Sequence, residues 1–355
     1  MKTRLICILL FVLAWSACII SISAVSHAAT SLSSPVPRAM VLSPDEQTLY
    51  VCFPRQVVAW DLEDGCVRRQ FPLGPAAFLT AIAISPNGDL LASGSFHDLF
   101  IWNVRSGKLV RILHNLTLDG LWTALAFLSR QRILAGSKGY PLEIWDLSAN
   151  KRLLILPNSA TGKFFPGASL SPNGQLLAYP QAHWRLLPHG LQEKQPYDIQ
   201  VWNFSTGKVD ANLTGHLYDE NSVVFSPDGH FVCGAMADST VRIWDIQTGK
   251  LVQTFQNEHL GQALSVALAP DGKHAVTLWT DNTMRCYNLQ NGTLTWKKSL
   301  AGRTAQVLYF SHGTRLVTLG IRGVSLWDAE TGAFRKHLSN NTRIVHKNKA
   351  AQPTN

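Results

Sequence analysis

The sequence predicts an all-β fold, a seven-bladed β-propeller made of four-stranded antiparallel blades. Three local patterns recur in step along the 355 residues: an aromatic residue that closes a strand, a Gly or Asn five positions later, and a turn of the Ser-Pro-Asp-Gly type upstream. The aromatic residues lie 42, 43, 57, 42, 43 and 40 residues apart. Five of these six intervals match the ~40–45 residues of one propeller blade, so the repeat predicts seven blades.

The closing aromatic residue stands in the third strand of each unit and is always followed by Asp or Asn. The pairs are Trp60-Asp61, Trp102-Asn103, Trp145-Asp146, Trp202-Asn203, Trp244-Asp245, Tyr287-Asn288 and Trp327-Asp328. The residue five positions later is Gly in six units and Asn150 in the third. Gly and Asn tolerate a left-handed backbone, so this offset predicts a hairpin between the third and fourth strands.

The upstream turn predicts the hairpin between the first and second strands, because Pro presets one turn dihedral and Gly or Asn accepts positive φ. It reads Ser43-Pro44-Asp45, Ser85-Pro86-Asn87-Gly88, Ser171-Pro172-Asn173-Gly174, Ser226-Pro227-Asp228-Gly229 and Ala269-Pro270-Asp271-Gly272, with degraded forms at Ser129-Arg130-Gln131 and Ser311-His312-Gly313. Each unit is therefore expected to hold its own four strands. Whether residues 31–36 or 342–346 help to close the ring stays open.

The unit from Gly215 to Phe255 shows these patterns most completely. Its Gly-His opening, its Ser-Pro-Asp-Gly turn and its closing Trp-Asp pair resemble the repeat of WD-repeat β-propellers. The resemblance covers residues 38–338 and implies a rigid ring that presents loops to protein partners and needs no cofactor. We interpret the chain as an exported, bacterial-looking member of that family.

The resemblance also implies a hydrogen-bonded cluster of structural residues inside the better blades. The matching residues are His216, Asp238 and Trp244 in blade five and His259, Thr277, Asp281 and Tyr287 in blade six. Gly234 stands at the Ser/Thr position of blade five, and Tyr287 replaces Trp in blade six. We expect these residues to hold their blades together, because a buried polar cluster satisfies its own donors and acceptors.

Four regions are expected along the chain: a signal peptide at 1–28, a linker at 29–37, the propeller at 38–338, and a basic, disordered tail at 339–355. The blades are placed at about 38–72, 78–114, 121–157, 164–214, 215–256, 259–299 and 302–338.

The N-terminus has the features of a secretory signal. Lys2 and Arg4 precede a charge-free apolar run that ends near Val25, and Ser26 and Ala28 supply small residues for cleavage after Ala28. The predicted location is therefore extracytoplasmic, either secreted or in the periplasm or cell envelope. Two alternatives stay open, a leader retained as a membrane anchor and one lipidated at Cys18.

Composition and charge narrow the class of protein and the kinds of partner that it binds. The chain is 46% apolar and 15% charged, which argues against disorder. Its net charge of +9 favours an anionic surface or polymer, but no basic helix or basic-aromatic motif indicates nucleic acid. We expect a monomer. Outside the leader, Cys233 and Cys286 are expected to be buried and unpaired, while a Cys52 to Cys66 bridge stays open.

Blade four carries about fifteen extra residues within Pro180 to Tyr197, between its second and third strands. They are expected to form a long loop, and long loops on rigid scaffolds often bind partners. The candidate partner-binding residues are His183, Trp184, Arg185, His189 and Tyr197. The alternative is a solvated loop. Two histidines without further ligands do not make a metal site.

The equivalent connections of other blades place basic residues on the same face of the ring. They are Arg55, Lys138, Lys194 and Arg322. The hypothesis is a basic face for an anionic partner, and the alternative is ordinary scattered surface charge.

Two classes of function compete at this point. The first is a non-enzymatic interaction scaffold. The second is an exported propeller enzyme or cofactor-binding protein resembling quinoproteins, for which Asn291-Gly292-Thr293-Leu294-Thr295-Trp296 is a faint match. The sequence holds no Gly-x-Ser-x-Gly, His-Glu-x-x-His or Cys-rich metal pattern, so no catalytic, cofactor or metal residue is predicted.

Overall fold

The computed structural model describes residues 36–74, 77–96, 98–114, 122–137, 141–156, 168–186, 192–215, 220–256 and 261–338. The chain divides into two units, residues 1–35 and 36–355, and all described residues belong to the second.

The described residues form 28 strands in seven four-stranded antiparallel sheets, which confirms the predicted fold class. Blade one holds β1 (Ala39–Leu42), β2 (Thr48–Phe53), β3 (Gln56–Asp61) and β4 (Val67–Pro72); blade two holds β5 (Ala81–Ile84), β6 (Leu90–Gly94), β7 (Asp98–Asn103) and β8 (Leu109–His114); blade three holds β9 (Trp122–Phe127), β10 (Arg132–Ser137), β11 (Glu143–Asp146) and β12 (Lys151–Ile155). Blade four holds β13 (Ser169–Leu170), β14 (Leu176–Leu186), β15 (Gln192–Asn203) and β16 (Lys208–Leu213); blade five holds β17 (Glu220–Phe225), β18 (Phe231–Met236), β19 (Thr240–Asp245) and β20 (Leu251–Gln256). Blade six holds β21 (Ala263–Leu268), β22 (His274–Trp279), β23 (Thr283–Asn288) and β24 (Leu294–Ser299); blade seven holds β25 (Thr304–Phe310), β26 (Arg315–Gly320), β27 (Gly323–Asp328) and β28 (Phe334–Leu338).

The predicted hairpin between the third and fourth strands is present in every blade. The residue five positions after the closing aromatic has positive φ in all seven, from 52° at Asn150 to 77° at Gly65. The ladder between these strands also shifts register immediately before the aromatic residue in each blade, for example between Ala59 and Trp60. Turn and bulge together redirect the chain into the outer strand.

The core lies between blades. Seven clusters of buried apolar side chains occur in the described residues, and each spans one boundary between neighbouring blades. The cluster between blades five and six, for example, joins Ile243 and Phe255 to Ala275 and Tyr287. A flat sheet exposes two faces, so this packing explains why each blade needs two neighbours.

The ring closes without a borrowed strand in the described part of the chain, because each sheet uses four consecutive strands. Blades seven and one instead share an apolar cluster that contains Met40, Trp60 and Phe310. Glu46 accepts a hydrogen bond from the His312 backbone N–H at 3.0 Å, which adds a polar contact across this boundary.

The four described cysteines are free thiols, and Cys52, Cys233 and Cys286 are buried. No helix among the described residues is long and apolar enough to cross a membrane.

Candidate functional site

The topology defines two faces of the ring. On one face, called the upper face below, the chain enters each first strand and turns from each second strand into the third. The opposite or lower face carries the turns between strands one and two and between strands three and four. Of the residues predicted as a basic face, Arg55 and Arg322 belong to the upper face.

The inner strands line a central channel of about 500 Å³. Its wall is made mainly of small and apolar residues, such as Ala81, Ala124, Val223 and Leu264. The described lining includes two cations and contains neither a carboxylate nor a histidine. Catalytic sites need titratable groups that converge on one point, and the channel wall offers no such convergence.

The two channel cations, Arg38 and Arg303, lie at the upper ends of adjacent inner strands. Arg38 precedes β1 and Arg303 precedes β25, and both side chains are exposed. Arg55 and Arg322 lie in the turns from the second to the third strand of the same two blades and are also exposed. The upper face of blades one and seven therefore carries four exposed arginines.

These four arginines form no ion pair within the described residues. Other arginines of the ring do, since Arg242 lies 2.8 Å from Asp238 and Arg285 lies 2.5 Å from Asp281. Unpaired exposed charge of one sign creates a local field that attracts the opposite charge.

Apolar groups accompany this charge. The Arg38 guanidinium lies over the ring of Phe78, 5.1 Å from its centroid, and Phe78 packs against Phe96 at 5.3 Å. Phe96 is 45% exposed, and Ile321 beside Arg322 is 57% exposed. Exposed apolar side chains rimmed by polar residues are typical of protein interfaces.

A pocket of about 280 Å³ opens in blade seven next to these residues. Arg303 and Arg322 both line it, and Arg303 also lines the channel. The Ile321 backbone N–H donates to the Arg303 carbonyl at 3.0 Å, which holds the two arginine-bearing segments together. The pocket and the channel mouth are therefore adjoining parts of one surface.

Four polar side chains of this pocket contact one another in pairs. Trp327 Nε1 donates to Thr318 Oγ1 at 2.9 Å, and Ser325 Oγ lies 2.8 Å from His337 Nδ1. Trp327 and Phe334 meet edge to face with centroids 5.3 Å apart. No carboxylate is among the described lining residues, so the Ser325 and His337 pair lacks the third group of a catalytic triad.

A wider cleft of about 730 Å³ lies on the lower face between blades six and seven. Cys286 and Tyr309 line it together with titratable residues that include Asp271, His274 and Arg335. Burial raises the pKa of Cys286 to about 11, so the thiol stays protonated at neutral pH. A protonated thiol is a poor nucleophile, and the cleft does not supply an activated cysteine.

Three acidic groups, those of Asp61, Glu63 and Asp64, lie within 4.8 Å of one another on the lower face. The Asp61 oxygens accept hydrogen bonds from Arg68 and from the backbone N–H groups of Glu63 and Asp64. These hydrogen bonds explain the three acidic side chains as part of the turn between β3 and β4.

Blades five and six each carry the same polar group of Asp, Thr and Arg on the upper face. The sequence interpretation had assigned only the Asp of each group, and it had paired that Asp with other residues. Asp238 accepts hydrogen bonds from Thr240 and pairs with Arg242, which is nearly buried. Asp281 does the same with Thr283 and Arg285. Burial acts to raise the pKa of Asp281, but the Thr283 hydrogen bonds and the Arg285 charge outweigh it and lower that pKa. The spacing Asp-x-Thr-x-Arg is the sequence signal that was missed.

The other described members of the predicted cluster have identifiable contacts. Trp244 Nε1 donates to the Thr214 carbonyl at 3.0 Å, Thr277 Oγ1 accepts from Trp279 Nε1 at 2.7 Å, and the ring of Tyr287 stacks on that of Phe255. His216 and His259 lie outside the described residues, so the cluster stays a prediction.

The blade-four insertion is not the long loop that was expected. β14 and β15 continue past the length of the other blades as a two-stranded ladder that pairs His183 with Gln195, Trp184 with Lys194 and Arg185 with Glu193. The ladder is irregular between Gln181 and His183, opposite Pro196, which has no N–H to donate. Backbone pairing continues into the insertion because an antiparallel hairpin satisfies its own donors and acceptors.

Several predicted binding residues cannot be placed further. His189 and Lys138 lie outside the described residues, and the side chains of His183, Trp184, Arg185, Lys194 and Tyr197 also fall outside them. Of the predicted basic face, Arg55 and Arg322 are exposed where expected, while Arg38 and Arg303 were missed. Their shared position, at the residue or two before an inner strand, was the available signal.

Residues 64–103 and 207–245 match the family described as "WD domain, G-beta repeat". The chain contains WD40 repeats. Each matched WD40 repeat starts in the last turn of one blade and ends with the third strand of the next, so the sequence repeat and the blade are out of phase by one strand.

Relatives with similar sequences are found in eukaryotes. Periodic tryptophan protein 2 of Arabidopsis thaliana is 25% identical over 209 residues, covering 58% of this chain and 21% of that protein. Pre-mRNA-processing factor 17 of Homo sapiens is 24% identical over 218 residues, covering 59% and 35%. Nuclear distribution protein nudF of Emericella nidulans is 24% identical over 185 residues, covering 49% and 41%.

The chain thus spans less than half the length of each of these relatives. Their eukaryotic origin does not bear out the bacterial-looking, exported interpretation of the sequence.

Proposed function

We propose that the chain is a non-enzymatic scaffold for protein-protein interaction, and that the upper face of blades seven, one and two is its contact surface. The observation that carries the proposal is the group of four exposed arginines without ion pairs in the described structure, set beside exposed apolar side chains. Arg and aromatic residues are the types that dominate interface energies.

Four observations support a scaffold over the propeller enzyme. The described channel wall holds no carboxylate or histidine. The Ser325 and His337 pair has no carboxylate in its pocket, and burial keeps the Cys286 thiol protonated. The names of two relatives, a pre-mRNA-processing factor and a nuclear distribution protein, refer to processes rather than to reactions.

Export is a separate part of the proposal and rests on the leader. If residues 1–28 are a signal peptide, the chain expressed with its own leader in a secreting host should start at Ala29. N-terminal sequencing and intact mass of the product test this. A retained Met1 in the cytosolic fraction would contradict it, and a lipid mass on Cys18 would favour the anchored alternative.

The experiment that tests the scaffold proposal is capture of partners by the tagged full chain from its native source. Mass spectrometry of the captured material is expected to show at least one protein in near-stoichiometric amount. Recovery of a stoichiometric metal ion or small molecule without any protein would overturn the proposal and favour the propeller enzyme.

A further inference from the structure

The blade-seven pocket, defined by the residues that line its cavity, adjoins two of the unpaired arginines, Arg303 and Arg322. We infer that it binds one bulky apolar side chain of a protein partner, while acidic residues on either side of that side chain contact Arg303, Arg322 and Arg38. The inference rests on the proposed scaffold function and names the chemistry of the partner segment.

The size of the pocket is compatible with a single side chain. Its volume of about 280 Å³ falls just below the ~300–1,000 Å³ typical of small-molecule sites. A single Leu, Phe or Trp side chain is a fitting occupant, and anchors of this kind dominate many interfaces.

The residues that line the pocket also favour an apolar side chain. Leu300, Trp327 and Phe334 supply apolar surface. Trp327 Nε1 donates to Thr318 Oγ1, and Ser325 Oγ lies 2.8 Å from Nδ1 of the exposed His337. The Trp327 N–H and the buried Thr318 and Ser325 hydroxyls therefore already have partners, and an apolar group of the partner leaves these hydrogen bonds undisturbed.

The positive charge around the pocket favours acidic residues on either side of the partner's apolar side chain. Arg303 and Arg322 line the pocket, and Arg303 also lines the channel mouth that Arg38 shares. The residues of the connecting turns, from Leu300 to Arg303 and from Gly320 to Gly323, include no carboxylate. A carboxylate from a partner would therefore meet guanidinium groups with free donors, which bind carboxylates in a bidentate manner.

A defined peptide tests the inference. The probe is a fluorescein-labelled peptide with four Glu on each side of one Phe, compared with the same peptide carrying Ala in place of Phe and with a version carrying Gln in place of Glu. Binding to the purified full chain is followed by fluorescence polarisation at physiological ionic strength. The Phe peptide is expected to bind at least tenfold more tightly than either comparison peptide.

Two variants locate the site. F334A removes an aromatic wall that is 48% exposed, and it is expected to weaken the Phe peptide about tenfold while changing the Ala peptide less than twofold. L294A removes a similarly exposed apolar side chain of blade six and is the matched control. R303E is expected to weaken the Phe peptide about tenfold or more, and R105E, on the lower face, less than twofold. Melting temperatures confirm that each variant is folded.

The inference is overturned if none of the peptides binds, if the Gln and Glu peptides bind equally, or if heparin and anionic vesicles bind the chain as well as the Phe peptide does. In each of these cases a near-stoichiometric protein captured by the wild-type chain leaves the scaffold function standing. If the wild-type chain captures no protein and none of the peptides binds, both the inference and the proposed scaffold function are wrong.

Discussion

Gln306 of blade seven holds Met40 of blade one through a pair of hydrogen bonds. The Met40 N–H donates to Gln306 Oε1 at 3.0 Å, and Gln306 Nε2 donates to the Met40 carbonyl at 3.2 Å. The side-chain amide therefore presents to the inner strand the same donor and acceptor that a neighbouring strand would present. It fastens the first and last blades across 266 residues of sequence.

The first prediction is that Q306L destabilises the ring. Two hydrogen bonds to the backbone are lost, and at ~0.5–1.5 kcal/mol each the free energy of unfolding should fall by about 1–3 kcal/mol. Urea denaturation monitored by Trp fluorescence measures it. Q247L, in an exposed turn of blade five, is the matched control and should change stability by less than about 0.5 kcal/mol. Equal stability of both variants would mean that the apolar cluster alone closes the ring.

Much of this architecture could be predicted from the sequence, because a repeat reports the same geometry many times. Asn150 shows this, since its place in the register alone predicted a left-handed residue and its φ is 52°. Ring closure occurs once in the chain, so no repeat reports it. The amide of Gln306 differs from any exposed glutamine only through its position beside Met40.

The candidate site was predicted less well than the fold. Arg55 and Arg322 could be predicted because they lie in recognisable turns between second and third strands. Arg303 lies before a first strand, and its segment is held beside Arg322 because the Ile321 N–H donates to the Arg303 carbonyl. Asp238 was assigned to a family pattern, although Arg242 four residues later offered a closer charge partner. Contacts between segments distant in sequence leave little local signal.

The second prediction concerns the polar unit of blade six. D281A removes the partner of Arg285, whose side chain is only 6% exposed, and also the acceptor for the Thr283 N–H. Breaking a buried ion pair costs ~3–5 kcal/mol, and the partial exposure of Asp281 reduces this to about 2–4 kcal/mol. Urea denaturation measures the loss.

D281N is the informative comparison, because it keeps the acceptor oxygen for the turn and removes only the charge. It should cost less than D281A but more than a surface substitution. If D281N were as stable as the wild type, the charge of Asp281 would contribute nothing and the turn alone would explain its presence.

The third prediction is a loss of stability in acid. The pKa is lowered for the turn and pair aspartates Asp45, Asp61, Asp146, Asp228, Asp245, Asp281 and Asp328. In the unfolded chain these groups titrate near ~3.9, so between that pH and the lower folded pKa the unfolded state binds more protons. Stability should be constant from pH 7 to about 5 and fall as the pH drops from about 4 toward 2. An unfolding midpoint that is the same at pH 2.5 as at pH 7 would contradict the predicted loss of stability in acid.

The fourth prediction isolates one of these groups. The hydrogen bond from Arg335, followed by those from Thr331, lowers the pKa of Asp328 to about 2. Asn occupies the same turn position in blades two, four and six, where it accepts the same hydrogen bond from the backbone N–H three residues later. D328N should therefore keep the turn but lose the Arg335 ion pair, so it should be slightly less stable than the wild type at pH 7 and should decline less steeply below pH 4. A slope identical to that of the wild type would show that Asp328 titrates alike in the folded and unfolded chains.

The fifth prediction separates the insertion from the ring. Replacing residues 182–197 by Asn-Gly joins Gln181 and Asp198, which already face each other in the ladder, by a two-residue hairpin turn. The melting temperature should change by no more than a few degrees, because the removed ladder extends beyond the strand length of the other blades. A collapse of the fold would show that the insertion is part of the core. Loss of partner capture with the fold intact would assign binding to the insertion.

The measurement that tests the central claim most directly compares partner capture by two charge-reversed chains. R55E/R322E changes the upper face, and R105E/K250E makes the same change in net charge at exposed turns of the lower face. The scaffold account predicts that the first variant loses most of the captured partner and its salt dependence, while the second retains both. Equal recovery with both variants, at every salt concentration, would contradict the claim that the upper face binds the partner.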